Sequence, residues 1–249
     1  MKDVPLAPPV RIEEYYELRL YQMHQARMPD FHHLMGTDVP PIFERCGISA
    51  PLALWEGHGG PLSPLYAYIL PWRNLDRRME AWKRFYADPE WLAKLAVNYG
   101  GEQRVDRSHV FVLRPSPVWS RFRSEPDAGP VGSVHELRLI DVDNFDPMLS
   151  HTALAETDLP FMTRKGATVL GVFMTWFGTR MNQAVTITAW PDAEALRSAA
   201  IAYQTDDGIR AARDEERRRH GQPLVRGSDV HVLRPTRYGA PLPNLAPRG

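Results

Sequence analysis

The 249-residue chain has one cysteine, Cys46, and no excess of charge, since Lys plus Arg and Asp plus Glu each total 30. A single thiol excludes an internal disulfide framework and fits a reducing compartment. Balanced charge leaves no overall field to draw in nucleic acid or an anionic membrane. No apolar run reaches the roughly 18 residues that a membrane span needs. The stretch from Met1 to Glu14 is Pro-rich and partly acidic rather than basic then apolar, so neither a signal peptide nor a membrane span is expected. The expected setting is the cytoplasm. Catalytic signatures are missing too. There is no HExxH, CxxC, P-loop, GxSxG or dinucleotide fingerprint, and no metal site is expected. Gly57-His58-Gly59-Gly60 has the glycines of a phosphate loop without its lysine, and a hairpin turn explains it better. The basic run Arg217-Arg218-Arg219-His220 follows Glu215-Glu216 at the end of an expected helix, where it complements the helix dipole.

What the chain does have is repetition. Glu17-Leu18-Arg19-Leu20 returns as Glu136-Leu137-Arg138-Leu139, a shift of 119 (136 − 17). Val110-Phe111-Val112-Leu113-Arg114-Pro115 returns as Val230-His231-Val232-Leu233-Arg234-Pro235, a shift of 120 (230 − 110). A period this long suits two small domains rather than a solenoid.

Each half reads strand, helix, strand, strand, helix, helix, strand. Residues 15–23 alternate as a half-buried strand does. Met28, Phe31, Met35, Val39, Ile42, Phe43 and Cys46 fall at helical spacing. Residues 50–56 and 65–70 flank the glycine turn as a hairpin. Helices are expected over 74–86 and from Asp88, with Asp88 as N-cap and Pro89 at the first helical position. Residues 109–113 close the unit. The second half repeats the order over 134–142, 147–165, 168–176 and 181–189, with helices from Asp192 and about Asp206 and a last strand over 229–233. The divisions are an N-terminal arm (1–14), a first repeat (15–115), a Pro-, Ser- and Gly-rich linker (116–133), a second repeat (134–235) and a loosely held tail (236–249). Pro40 and Pro160 lie inside the first helix of each repeat, which should kink or break there.

This order is the ferredoxin-like βαββαβ motif. Its antiparallel sheet carries helices on one face only, so the other face needs a partner. The expected class is therefore α+β, with two ferredoxin-like repeats forming a dimeric α+β barrel within one polypeptide.

Tyr16-Glu17-Leu18-Arg19-Leu20-Tyr21, a proline-bearing helix ending at Gly47, Gly60-Pro61-Leu62 and Asp88-Pro89-Glu90-Trp91, in that order, resemble the NIPSNAP family. The resemblance covers residues 15–115 and 134–235. Two features depart from it. The family's Asn and His, four residues apart in the second hairpin strand, are here Pro64 and Tyr68 in one half and Asn182 and Thr186 in the other, and Trp91 becomes Ile209. The resemblance implies a small-molecule-binding barrel, with relatives of the same architecture acting as cofactor-free monooxygenases, isomerases or haem enzymes.

Candidate site residues follow from the faces of these elements. Taking Leu18/Leu20 and Leu137/Leu139 as the helix-facing set, Glu17/Arg19 and Glu136/Arg138 point towards the other sheet. There they serve either as a substrate anchor or as a compensated pair. His32 and His151 lie on the inward seams of their helices, where a histidine is either a general base or a hydrogen-bonded core residue. His135 shares a strand face with Leu137. Comparing the halves, His32 becomes Thr152, Met35 becomes Ala155, Phe43 becomes Thr163, Tyr68 becomes Thr186 and Leu70 becomes Thr188. Lost bulk and gained hydroxyls predict the main cavity between 147–165 and the second sheet. His151, then His135, are its acid/base candidates. Thr152, Thr163, Trp176, Asn182, Thr186, Thr188, Glu136 and Arg138 are its substrate-binding candidates. His32, Tyr68, Glu17 and Arg19 are secondary candidates in the first half. The expected function is a cofactor-independent enzyme of specialised metabolism, an isomerase, cyclase or monooxygenase type acting on a partly aromatic or enolic small molecule. The alternative is a non-catalytic ligand- or protein-binding scaffold, or a haem-binding barrel, because one inward histidine suffices as a proximal ligand. A homo-oligomer stays open.

Overall fold

A computed structural model describes residues 15–98, 104–122, 132–143, 145–180 and 182–239. The expected arm, half of the linker, most of the tail and Met181 lie outside the described residues.

The first half runs β1 (Tyr15–Met23), α1 (Met28–His33), α2 (Val39–Cys46), β2 (Ala53–Gly59), β3 (Leu65–Trp72), α3 (Leu75–Ala87), α4 (Pro89–Asn98) and β4 (Val105–Pro115). The second runs β5 (Val134–Asp141), α5 (Pro147–Ala153), α6 (Leu159–Arg164), β6 (Thr168–Phe177), β7 (Gln183–Trp190), α7 (Ala193–Thr205), α8 (Asp207–His220) and β8 (Ser228–Pro235). Helix starts are set by side-chain caps. Asn74, Asp88, Asp192 and Asp206 accept from the backbone N–H of Arg77, Trp91, Ala195 and Ile209 respectively.

The eight strands close into one barrel in the order β1-β3-β2-β8-β5-β7-β6-β4. Two antiparallel seams join the halves, β2 with β8 (Glu56 opposite Arg234) and β4 with β6 (Leu113 opposite Thr175). The open sheet face that each repeat cannot cover alone is thus buried by the other. Closure also removes the sheet edges.

The direction of the strand faces corrects the sequence reading. Tyr16, Leu18 and Leu20 pack in one buried cluster with Leu137, Leu139 and Ile187 of the other half, so the leucines fill the barrel. Glu17 and Arg19 face the helices instead. A strand buried on both faces carries no amphipathic signal to say which side is which, so the leucines alone could not orient it.

The two proline-bearing helices break as expected. Between α1 and α2, and between α5 and α6, the backbone widens into a π-turn over Leu34–Asp38 and Leu154–Asp158. There the N–H of Val39 donates to Leu34 O, and that of Leu159 to Leu154 O. Pro40 and Pro160 follow directly, in the first turn of the next helix, where a missing N–H costs nothing. The linker also has structure at its start, since Pro117–Phe122 forms a short 3₁₀ turn that buries Trp119 against Tyr16 and Phe173. Tyr238, assigned by sequence to the tail, donates to or accepts from His32 Nδ1 at 2.7 Å and Tyr66 Oη at 3.1 Å. No described helix is long and apolar enough to cross a membrane.

Candidate functional site

Both halves hold a cavity between helices and sheet, and the two have different walls. The first, about 350 Å³, is lined by Phe31, Phe43, Tyr68, Trp82 and Trp91 with Arg19 in its floor. The second, about 300 Å³, is lined by Arg138, Thr186, Arg213, Arg217 and Arg226 beside aliphatic residues.

The floor of the first cavity is a buried charge cluster built on β1. Glu17 is fully buried and accepts from Arg19 Nε at 2.7 Å, Arg78 Nε at 2.9 Å, Arg78 Nη2 at 3.0 Å, and the indole N–H groups of Trp72 and Trp82, each at 2.9 Å. Burial pushes the Glu17 carboxyl up, but Arg19 and Arg78 outweigh it and hold the pKa below the ordinary value. Two guanidiniums share this one carboxylate, which leaves one positive charge over. Arg19 lies 3.8 Å above the Trp82 ring and donates through Nη1 to Tyr21 Oη at 2.9 Å. Tyr21 and Tyr68 hydroxyls meet at 3.0 Å. Burial raises the Tyr68 pKa well above the ordinary phenol value, so this residue stays protonated at neutral pH. The cavity therefore presents a fixed cation, a neutral hydroxyl relay and flat aromatic walls.

In the second half, Arg138 donates to Glu136 at 2.7 Å, while its buried Nε has no hydrogen-bond partner. Arg213 contacts both oxygens of Asp158 at 2.5 and 2.6 Å, and Tyr203 donates to the same carboxylate. Burial opposes the Arg213 charge, and Asp158 more than offsets it. Burial raises the Tyr203 pKa to about 12, with Asp158 reinforcing the shift.

The structure brings together only part of the set expected from sequence. Glu17, Arg19 and Tyr68 meet at the first cavity; Arg138 and Thr186 line the second. Thr188 is buried behind it, accepting from Trp190 Nε1 at 3.1 Å and donating to Glu136 at 3.4 Å. Thr163 is exposed and donates to carbonyls of its own helix, Thr152 is half-buried on α5, and Trp176 is 43% exposed. Asn182 takes a left-handed turn conformation, φ 56°, at the start of β7. His32 is half-buried under Tyr238. His135 follows Leu137 into the barrel, where Trp55 Nε1 donates to its Nδ1 at 2.8 Å. His151 is buried with Nδ1 3.1 Å from Ser116 Oγ. Burial lowers the pKa of each of these two histidines to about 4.

Sequence reading missed Tyr21, Arg78, Trp82, Arg213, Arg217 and Arg226. One signal was available. Asp38 and Lys94 pair at 2.9 Å, and their counterparts Asp158 and Arg213 sit 120 and 119 residues later. Haem, which the resemblance leaves open, needs an axial ligand. Among the described residues no histidine or cysteine lines either helix–sheet cavity, so the residues present do not fit a histidine- or thiolate-ligated haem.

The NIPSNAP family model matches residues 16–120 and again 135–240. No curated protein matches the sequence. Among solved structures, an anthrone oxidase-like protein is 14% identical, with 90% of this chain and 92% of that one covered and a TM-score of 0.58. A candidate monooxygenase from Lactobacillus acidophilus NCFM is 13% identical over 90% of this chain and 94% of its own, with a TM-score of 0.53. Another from Fusobacterium nucleatum is 8% identical over 96% and 99%, with a TM-score of 0.52. At these identities the likeness concerns the fold alone.

Proposed function

This chain belongs to the NIPSNAP family, and from that premise and the first cavity we propose that it binds a small, partly aromatic phenol or enol and promotes ionisation of its hydroxyl. The observation that carries the reading is the uncompensated positive charge in the floor of an aromatic-walled space. A ring packs against the aromatic wall of Phe31, Phe43 and Trp91, with its acidic oxygen towards Arg19. The guanidinium favours the oxyanion over the neutral hydroxyl, as a fixed cation in a water-poor site does. The proton leaves to water at the mouth of the cavity, near Asp106 and Arg107. One of the Tyr21 and Tyr68 hydroxyl protons is spent on their mutual hydrogen bond, which leaves the other to donate to the bound oxygen, and Tyr68 does not act as a base because burial holds its proton. A carbanion-like aromatic or enolate is the species from which isomerisation, cyclisation or reaction with dioxygen proceeds. The names of the structural neighbours, anthrone oxidase-like and monooxygenase, accord with this class.

The test uses 4-nitrophenol, whose anion absorbs in the visible. On binding to the full chain its ionisation should shift to lower pH by about one unit or more. Arg19→Gln should remove that shift. Binding of the neutral phenol with an unchanged or raised pKa would overturn the reading.

A further inference from the structure

We propose that the second cavity is a separate site for a phosphate monoester carried on a small aliphatic body, independent of the aromatic site in the first half. Three elements bring guanidiniums to it: β5 through Arg138, α8 through Arg213 and Arg217, and the segment after α8 through Arg226. Each guanidinium carries several N–H donors and no acceptor. The carboxylate in the wall is Asp158, and its two oxygens are already taken by Arg213 and Tyr203. The other carboxylate partners stand outside the lining: Glu136 behind Arg138, Glu216 beside Arg213, Asp214 beside Arg217 at 2.9 Å, and Asp143 beside Arg226 at 3.2 Å. Inside the space, donors therefore outnumber free acceptors. Arg138 Nε is the plainest case, buried and without a partner. A buried N–H left so costs free energy that a bound acceptor recovers.

The arrangement also selects among acceptors. A planar carboxylate is clamped by one arginine fork, whereas cations converging from three directions suit the several oxygens of a tetrahedral phosphoryl group. Thr186 and Ser228 add hydroxyls to the same lining. The remaining wall is aliphatic, with Ile140, Leu154, Leu159, Met162 and Val225. Inorganic phosphate would leave that wall bare, while a short alkyl ester covers it. At the position of Thr186 the first half has Tyr68, so a ring enters its space where the second half has a hydroxyl.

Calorimetric titration of the full chain with butyl phosphate is the test, with inorganic phosphate and butyrate as separate arms. Butyl phosphate should bind at one site, and tighter than either control by about tenfold, the worth of one charge-assisted contact or a buried alkyl group. Arg226→Gln and Arg217→Gln, both part-exposed and remote from the core, should each weaken it by about tenfold. Arg138→Gln should do the same. The proposal fails if butyl phosphate does not saturate, or if inorganic phosphate binds as well. It also fails if Arg19→Gln, rather than Arg226→Gln, removes binding, because the anion then sits in the first cavity.

Discussion

The two halves keep the same Glu-x-Arg pair on their first strand and surround it differently. In the first, Trp72 donates directly to Glu17, and α3 adds Arg78 and Trp82. In the second, Trp190 occupies the place of Trp72, but Thr188 stands where Leu70 stood and comes between. Its hydroxyl takes the indole N–H and passes a longer contact of 3.4 Å to Glu136. At the positions of Arg78 and Trp82, α7 carries Leu196 and Ala200. One carboxylate thus collects a cation and two indoles that the other lacks. The pair itself serves the fold, while its neighbours decide whether the space above becomes an aromatic box or an arginine-lined pocket.

The largest effect should come from removing the better-connected carboxylate. Glu17→Gln leaves Arg19 buried without its counter-charge, and breaking a buried pair in this way costs about 3–5 kcal/mol. Glu136→Gln removes fewer partners from a less enclosed arginine and should cost about 1–3 kcal/mol. Urea unfolding of both variants measures the difference. Equal losses would mean that the indoles and Arg78 add nothing, and the contrast drawn between the halves would not hold energetically.

Exchanging the residues that shape the two spaces comes next. Tyr68→Thr deletes a buried ring and should cost about 2–4 kcal/mol. It should also weaken nitrophenol binding, because the hydroxyl relay to Tyr21 is lost. Thr186→Tyr should be milder in stability and should block butyl phosphate. If Tyr68→Thr leaves nitrophenol binding intact while Thr186→Tyr abolishes it, the aromatic ligand belongs to the second half, as bulk alone had suggested from the sequence.

That last contrast shows how far the sequence could be read. The duplication, the hairpins and the capped helices were legible because each rests on local spacing or on residues such as Asn74, Asp192 and Asp206 that act within one turn. The direction of β1 was not legible, because Leu18 and Arg19 are both buried and only the packing of the other half says which enters the barrel. Cavity chemistry was harder still. Thr163 and Thr188 lie on the inward side of a helical wheel or a strand, yet one caps its own helix and the other feeds Glu136. Arg217 looked like a complement to a helix dipole, and only the fold of the following segment brings it beside Arg138 and Arg226.

The halves should also differ in acid. His135, His151 and His231 occupy the positions of Tyr16, Phe31 and Phe111, so the second half buries imidazoles where the first buries rings that do not titrate in this range. Burial holds His135 and His151 neutral in the folded chain, with pKa values of about 4, and lowers that of His231. A folded pKa below the unfolded value of about 6.5 means that the unfolded chain takes up protons first. This stability is fully present above pH 6.5 and is lost as pH falls towards 4. Near pH 5 the loss is about 2 kcal/mol for each of His135 and His151. His151→Phe, the residue of the first half, should flatten the decline in urea midpoint between these pH values. A decline unchanged in His151→Phe and in His135→Tyr would place the acid sensitivity elsewhere.

The smallest difference concerns the ion pair that ties the π-turn to the last helix of each repeat. Asp38–Lys94 and Asp158–Arg213 hold equivalent places, but the Lys94 and Asp38 side chains are 26% and 22% exposed against 12% and 3% for Arg213 and Asp158. Water and salt screen the first pair, and a single ammonium contact at 2.9 Å costs little to lose. Lys94→Met should therefore lower stability only slightly, and the loss should shrink at high ionic strength. Arg213 differs in kind, since its Nη2 contacts both oxygens of Asp158, its Nη1 holds Glu216, and Tyr203 shares the Asp158 carboxylate. Its pair should be insensitive to salt. Measuring the urea midpoint of wild type and Lys94→Met at low and high salt decides the matter. A salt-independent loss from Lys94→Met would mean that both halves rely on this tie equally, and that it belongs with the Glu-x-Arg pair among the features the duplication kept for the fold.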